Sequence, residues 1–133
     1  MIRTKGNCVV LGGKIGEINW HRIIEAEGPE FDIGFLLPDA TPDDVDPHRH
    51  WMEPRFLEQG TGKLVMATQS YVLRTRHHVI LIDSCVGNDK ERRFYPPWSG
   101  LNGTRYLENL ASIGLTPDDI DFVMCTHLHA DHV

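Results

Sequence analysis

Four apolar residues without a break, Phe122-Val123-Met124-Cys125, open directly into Thr126-His127-Leu128-His129-Ala130-Asp131-His132-Val133. This junction constrains the fold more than any other stretch of the chain. A short, wholly apolar run reads as a strand buried in a sheet. Open α/β sheets gather their functional groups just past such strand ends. In extended backbone, side chains two residues apart project to the same side, so His127 and His129 can grip one cation. Asp131 and His132 follow where the chain must turn, and can address a neighbouring position. Imidazole nitrogen and carboxylate oxygen suit zinc, and also iron or manganese. The chain holds eight histidines, and the spacing His-x-His-x-Asp-His would arise in roughly two of a thousand shuffles of its composition. A solvated polar tail is the weaker reading.

The rest of the chain reads as strands, then a helix, then the motif strand: mixed α/β. Glu17 to Glu25 and Phe31 to Leu37 are expected strands in a first third rich in Gly, Pro and Asp. Lys63 to Arg74 and Val79 to Asp83 flank a polar Thr75–His78 break and predict a β-hairpin. Residues 87–103 form a long loop, which in a small domain points to function or disorder. A helix is expected over about 104–113, with Leu107, Leu110 and Ala111 inward, Thr104 at its start and Gly114 ending it. Two matching hexapeptides, Thr41–Asp46 and Thr116–Asp121, each predict a capped helical turn: Thr as N-cap, Pro first, acids against the positive helix end.

The motif resembles that of the metallo-β-lactamase superfamily, which carries His-x-His-x-Asp-His at the end of a strand. The similarity extends back to about Lys63: Ile80-Leu81-Ile82-Asp83-Ser84-Cys85-Val86-Gly87 fits the family's earlier strand ending in Asp and a small-residue turn. The Asp83–Asp89 and Thr126–Val133 stretches resemble the lactonase and ester-hydrolase branch. The resemblance implies an αββα sandwich with a largely antiparallel mixed sheet, of which residues 1–133 supply the first half, as the N-terminal part of one domain truncated after the motif. It further implies a binuclear site for two divalent ions, zinc first with iron or manganese as alternatives. His127 and His129 would ligate one ion, and Asp131, also assigned a catalytic role, would ligate the other with His132. Asp83 would orient the motif loop through hydrogen bonds. The implied reaction is attack of a metal-bound hydroxide on a lactone or carboxylic ester; a β-lactam, thioester or phosphoester is the alternative, as is a non-catalytic fragment. Family members complete the site with two further His and a bridging Asp downstream, so these residues alone are expected to be inactive, with one sheet face exposed.

Composition narrows the partners. A length of 133 residues suits one domain, and 41% hydrophobic residues suffice for a core. The net charge of −6 argues against nucleic acid, whose binding domains carry a basic excess. No apolar run approaches the ~18 residues that cross a bilayer, and the N-terminus lacks a signal-peptide core, so the expected partner is a small-molecule substrate in the cytoplasm, with no membrane. Three cysteines, Cys8, Cys85 and Cys125, do not suggest a disulfide framework; Cys125 is expected in the core. Phe94, Tyr95 and Trp98 lie in the long loop, either as an apolar wall for an acyl or aryl group or as aromatics pinning the loop. His48-Arg49-His50 reads as a surface loop, His77 and His78 as hairpin-turn residues, and His21 as a hydrogen-bonded or exposed strand residue.

Overall fold

The structure, a computed structural model, describes residues 2–3 and 9–133; Cys8 lies outside them. The chain divides into two units, residues 1–26 with 68–133, and residues 27–67.

In the first unit, β1 (Ile2–Arg3) pairs antiparallel with β2 (Val9–Val10). The main sheet has the order β3-β4-β5-β6-β7, with β3 at Gly12–Ile15, β4 starting at Ile18, β5 ending at Arg74, β6 at Val79–Ile82 and β7 at Phe122–Met124. Pairing is antiparallel for β3 with β4 and for β5 with β6, and parallel for β6 with β7. This is a mixed, mostly antiparallel sheet, as the sequence leads one to expect. Gly12 is required where β3 crosses β4, since a Cβ there would sit 2.8 Å from the Trp20 carbonyl oxygen. The β5–β6 turn is closed by Thr75, whose hydroxyl accepts from the His77 and His78 amides.

One sheet face is buried. Ile23, Val72 and Leu81 project from β4, β5 and β6 to meet Leu110 and Leu115, the alternation that a half-buried sheet requires. The covering helix is α4 (Arg105–Ser112), and its inward face differs from the expected one. Tyr106, Leu110 and Ile113 pack on the core and Asn109 is buried, whereas Leu107 is half exposed and Ala111 exposed. Asn109 turns inward because its amide donates to the Ile24 carbonyl at 2.8 Å. The helix ends as foreseen. Gly114 adopts φ 73°, its N–H bonds to Ala111 O, and the Leu115 N–H bonds to Leu110 O, which is the Schellman pattern with Leu115 packed back. Thr104 occupies the N-cap position but makes no side-chain capping bond; its hydroxyl donates instead to Glu108 at 2.7 Å. The expected capped turn forms at Pro117–Asp119 as a 3₁₀ turn, closed by a capping box between Thr116 and Asp119.

Two expectations about burial fail in this unit. Among the described residues β7 is bonded to β6 alone, Phe122, Val123 and Met124 are each more than half exposed, and Cys125 is exposed rather than in the core. His21 is buried, on the same face as Ile23, with Nδ1 unpartnered. Burial, and then the charge of Arg74, hold its pKa below the ordinary histidine value.

The second unit carries the remainder of β4 to Asp32, then α1 (Ile33–Leu36), α2 (Pro42–Val45), a 3₁₀ turn at Asp46–His48, α3 (Arg49–Met52) and the start of β5. The expected strand over 31–37 is replaced by a helical turn. Phe31 and Asp32 are still strand, the end of β4, and Phe31 stacks on Phe35 of the turn at 4.9 Å. Thr41 and Asp44 form the second capping box. His48 and His50 are on the surface, yet in helical turns rather than a loop. His50 Nδ1 is 2.9 Å from the Pro47 carbonyl, and Arg49 is held between Asp46 and Glu53.

Candidate functional site

Past β6 the backbone makes a tight reversal with positive φ at Asp83 (60°), Cys85 (64°) and Gly87 (74°). Asp tolerates this region better than most residues; for Cys it is strained. Two anchors hold the reversal. The Glu25 carboxylate accepts from the Val86 and Gly87 amides at 3.0 and 2.9 Å. Cys85 is fully buried, with Sγ 3.2 Å from Ser70 Oγ, to which the Tyr106 hydroxyl donates at 3.1 Å. Burial, aided by the nearby carboxylates of Glu25, Asp83 and Asp131, pushes the Cys85 thiol up to about 12 against the opposing Ser70 hydrogen bond. It is a structural thiol, not a nucleophile.

The reversal aims Asp83 at the motif. Its carboxylate accepts from the Thr126 amide at 2.7 Å, from the Thr126 hydroxyl at 2.9–3.0 Å and from His132 Nδ1 at 2.8 Å. Burial alone would raise the Asp83 pKa, but the hydrogen bonds from the Thr126 amide, His132 and the Thr126 hydroxyl outweigh it and leave the group below the ordinary carboxylate value. The Ser84 amide donates to the His132 carbonyl at 3.1 Å. Arg92 Nη2 donates to both Val86 O and Val133 O, and Lys90 Nζ reaches Val133 O.

Within the motif, His127 Nε2 and His129 Nδ1 are 3.1 Å apart, and His132 Nε2 lies 3.3 Å from Asp131 Oδ2. The rings of His127 and His132 are 4.0 Å apart between centroids. Among the described residues no group of three or more His, Cys, Asp or Glu side chains is placed to hold one ion; the donors come in twos. Phe94, Tyr95 and Trp98 pack on one another, Tyr95 and Phe94 edge-on to Trp98 at 5.1 and 6.1 Å, with Phe94 exposed. They do not line a cleft of about 410 Å³ in this unit walled by Glu25, Ser84, Asn88, Leu101, Tyr106 and Leu107 among others. Sequence reasoning gave no role to Thr126, Glu25, Lys90 or Arg92. Thr126 could have been noticed from its place beside the motif. Glu25 is about sixty residues from the amides it holds, and no local pattern announces it.

The chain shares its fold with solved structures about two and a half times its length. It aligns with hydrolase AbOPH of the beta lactamase superfamily (TM-score 0.68, 22% identity, 97% of this chain and 39% of that one). It also aligns with a probable metal-dependent hydrolase from Staphylococcus aureus (0.65, 26%, 90% and 41%). A third likeness is to AidC, a dizinc quorum-quenching lactonase solved with the product N-hexnoyl-L-homoserine (0.67, 19%, 92% and 37%). The fold is therefore that of a metallo-β-lactamase sandwich, in part. The family's sequence profile matches residues 64–133, and the chain belongs to the metallo-beta-lactamase superfamily. Among curated proteins, N-acyl homoserine lactonase AiiB of Agrobacterium fabrum (strain C58 / ATCC 33970) is 24% identical over 110 residues, 76% of this chain and 37% of AiiB. The chain thus spans about two fifths of the length of these relatives. No helix among the described residues is long and apolar enough to cross a membrane.

Proposed function

We propose that the protein is a metal-dependent hydrolase that opens a lactone or cleaves a carboxylic ester, and that residues 1–133 are the N-terminal part of its catalytic domain. The observation that carries this reading is the pairing of donors on one loop fixed by Asp83: His127 with His129, and Asp131 with His132. The donor set fits divalent cations, zinc first with iron or manganese as alternatives. The spacings of 3.1 and 3.3 Å are close to the ~3.3 Å between ligands of a tetrahedral ion with 2.0–2.1 Å bonds. His127 and His129 would hold one ion, and Asp131 and His132 a second. Catalytic zinc takes about three protein ligands, so each pair needs further donors, which we assign to chain beyond this segment. Bound ions would polarise the scissile carbonyl and bring the pKa of a water toward neutrality. Asp83 keeps His132 oriented through Nδ1, leaving Nε2 free toward Asp131. Asp131, as carboxylate, combines a ligand role with acceptance of a hydrogen bond from the attacking water. Phe94, Tyr95 and Trp98 would supply an apolar wall for the acyl or aryl group. The relatives' names, a lactonase acting on acyl homoserine lactones and a dizinc lactonase, favour a lactone over other esters.

The test is made on the intact protein. Purified with zinc, it should hold about two ions per chain and hydrolyse an N-acyl homoserine lactone, losing both on dialysis against a chelator and regaining both with zinc. Trp98→Ala should raise KM or alter chain-length preference at unchanged metal content. Turnover of lactones and esters that survives complete metal removal would overturn the reading; turnover restricted to β-lactams, thioesters or phosphoesters would overturn the substrate assignment.

A further inference from the structure

We infer that Thr126 is a positioning residue whose hydroxyl sets the tautomer of His127, so that Nε2 presents a bare lone pair toward His129. The inference rests on the metal reading above for its purpose, but its geometry stands independently. A hydroxyl has one proton to give and two lone pairs to receive with. Thr126 Oγ1 lies 3.0 and 2.9 Å from the two oxygens of Asp83, a group that as carboxylate can only accept. The hydroxyl proton is therefore committed to Asp83. Thr126 Oγ1 also lies 3.0 Å from His127 Nδ1, and toward that atom it has only a lone pair to offer. Nδ1 must carry the hydrogen and donate it. A neutral imidazole protonated at Nδ1 is unprotonated at Nε2, and it is Nε2 that faces His129 Nδ1 at 3.1 Å.

Asp83 does the same for His132 without an intermediary. Its Oδ2 accepts from His132 Nδ1 at 2.8 Å, leaving His132 Nε2 bare toward Asp131. The 3.4 Å separation of Thr126 Oγ1 from His132 Nδ1 is the longer of the two approaches to that nitrogen, so His132 is oriented by the carboxylate. One buried carboxylate thereby orients two imidazoles, one directly and one through a hydroxyl. Metal-bound histidines need this kind of support for the nitrogen that does not ligate.

The experiment uses the intact protein labelled with ¹⁵N-histidine, stripped of metal by chelation. Long-range ¹H–¹⁵N spectra report which ring nitrogen carries the proton. Wild type should show His127 protonated at Nδ1. Thr126→Val, which keeps the shape and the backbone N–H to Asp83 but has no hydroxyl, should shift His127 toward the Nε2-protonated form, and Thr126→Ser should restore the wild-type pattern. Titration with Zn²⁺ alone against a chromophoric chelator should show binding weakened by about tenfold or more in Thr126→Val, the usual scale for losing such a partner, with Thr126→Ser close to wild type. His127 protonated at Nε2 in wild type would overturn the inference even if no variant folds. So would a Thr126→Val protein that retains both the tautomer and the zinc affinity. A wild-type protein that shows the expected tautomer yet takes up no zinc would sink the proposed function and leave the role of Thr126 standing.

Discussion

Asp83→Asn isolates the carboxylate from everything else at its position. Asn adopts the left-handed backbone about as readily as Asp, so the φ of 60° is not the variable. An amide oxygen in place of Oδ1 can still accept from the Thr126 amide, now without the charge. The NH₂ that replaces Oδ2 is a donor pointed at another donor, His132 Nδ1 at 2.8 Å, while the Thr126 hydroxyl, 2.9 Å away, must turn to accept from it and give its own proton to the amide oxygen. Hydrogen bonds to a charged group are worth about 1.5–3 kcal/mol each. Asp83 is only 7% exposed, so water cannot replace what is lost. With the Thr126 amide bond weakened, the His132 bond opposed and the Thr126 hydroxyl bonds reduced to neutral ones, the net cost should be roughly 2–4 kcal/mol. At ~2–4 °C per kcal/mol for the larger domain to which this segment belongs, the melting temperature should fall by ~4–16 °C. Thermal unfolding followed by circular dichroism, in metal-free protein, reads this directly. Zinc affinity should drop a further 10–100-fold, because His132 would be pushed to the tautomer whose Nε2 carries the hydrogen. A melting temperature within about 2 °C of wild type would refute the idea that this carboxylate holds the motif loop in place.

Two further outcomes follow from the thiols and the caps. Cys85 is buried with its thiol pushed up to about 12, whereas Cys125 is exposed. Alkylation of native protein at pH 8 should label Cys125 and spare Cys85 until denaturant is added, as peptide mapping by mass spectrometry would reveal. Asp44 and Asp119 sit below their ordinary value of 3.8, Asp44 through the Thr41 hydroxyl and amide, Asp119 through the Thr116 amide and hydroxyl. A depressed carboxylate stabilises the fold above its unfolded pKa and loses that contribution as pH falls through the lower folded value. Urea midpoints measured from pH 5 down to pH 2 should therefore decline less steeply in Asp119→Asn than in wild type, and identical slopes would remove the capping argument.

Local chemistry was legible in the sequence, and long-range burial was not. Thr-Pro-Asp-Asp predicts a capped turn because every partner lies within three residues, and both copies form one, each closed by a capping box. Gly114 followed by an apolar residue predicts its helix stop for the same reason. The clustering of the motif was legible because its spacing is itself the signal: His127 meets His129 and His132 meets Asp131. What failed depended on partners elsewhere in the chain. The inward face of α4 runs through Tyr106, Leu110 and Ile113, with Asn109 bonded to Ile24 beside it, and helical spacing alone does not separate this stripe from the one through Leu107. Cys125 and the three residues before it follow a buried-strand pattern, yet among the described residues β7 pairs with β6 alone, and a composition pattern cannot say which neighbours a strand has. The turn at Ile33–Leu36 was missed because β-branched and aromatic content favours the strand, which in fact ends at Asp32.

The reversal after β6 explains why strain and function coincide here. A non-glycine residue in left-handed backbone costs about 1–2 kcal/mol, and both Asp83 and Cys85 adopt it. A sequence selected for stability alone would place Gly at both positions. Gly at 83 would remove the carboxylate that meets Thr126 and His132. Gly at 85 would remove the side chain that plugs the space beneath the turn against Ser70. The strain persists because the surroundings overdetermine it: Glu25 holds the two amides that follow, and the core through Leu81 fixes the strand that enters. Asp83 is thus rigid before the motif loop arrives. A rigid acceptor can choose the tautomer of an imidazole that approaches it; a mobile one would adjust to whichever tautomer came.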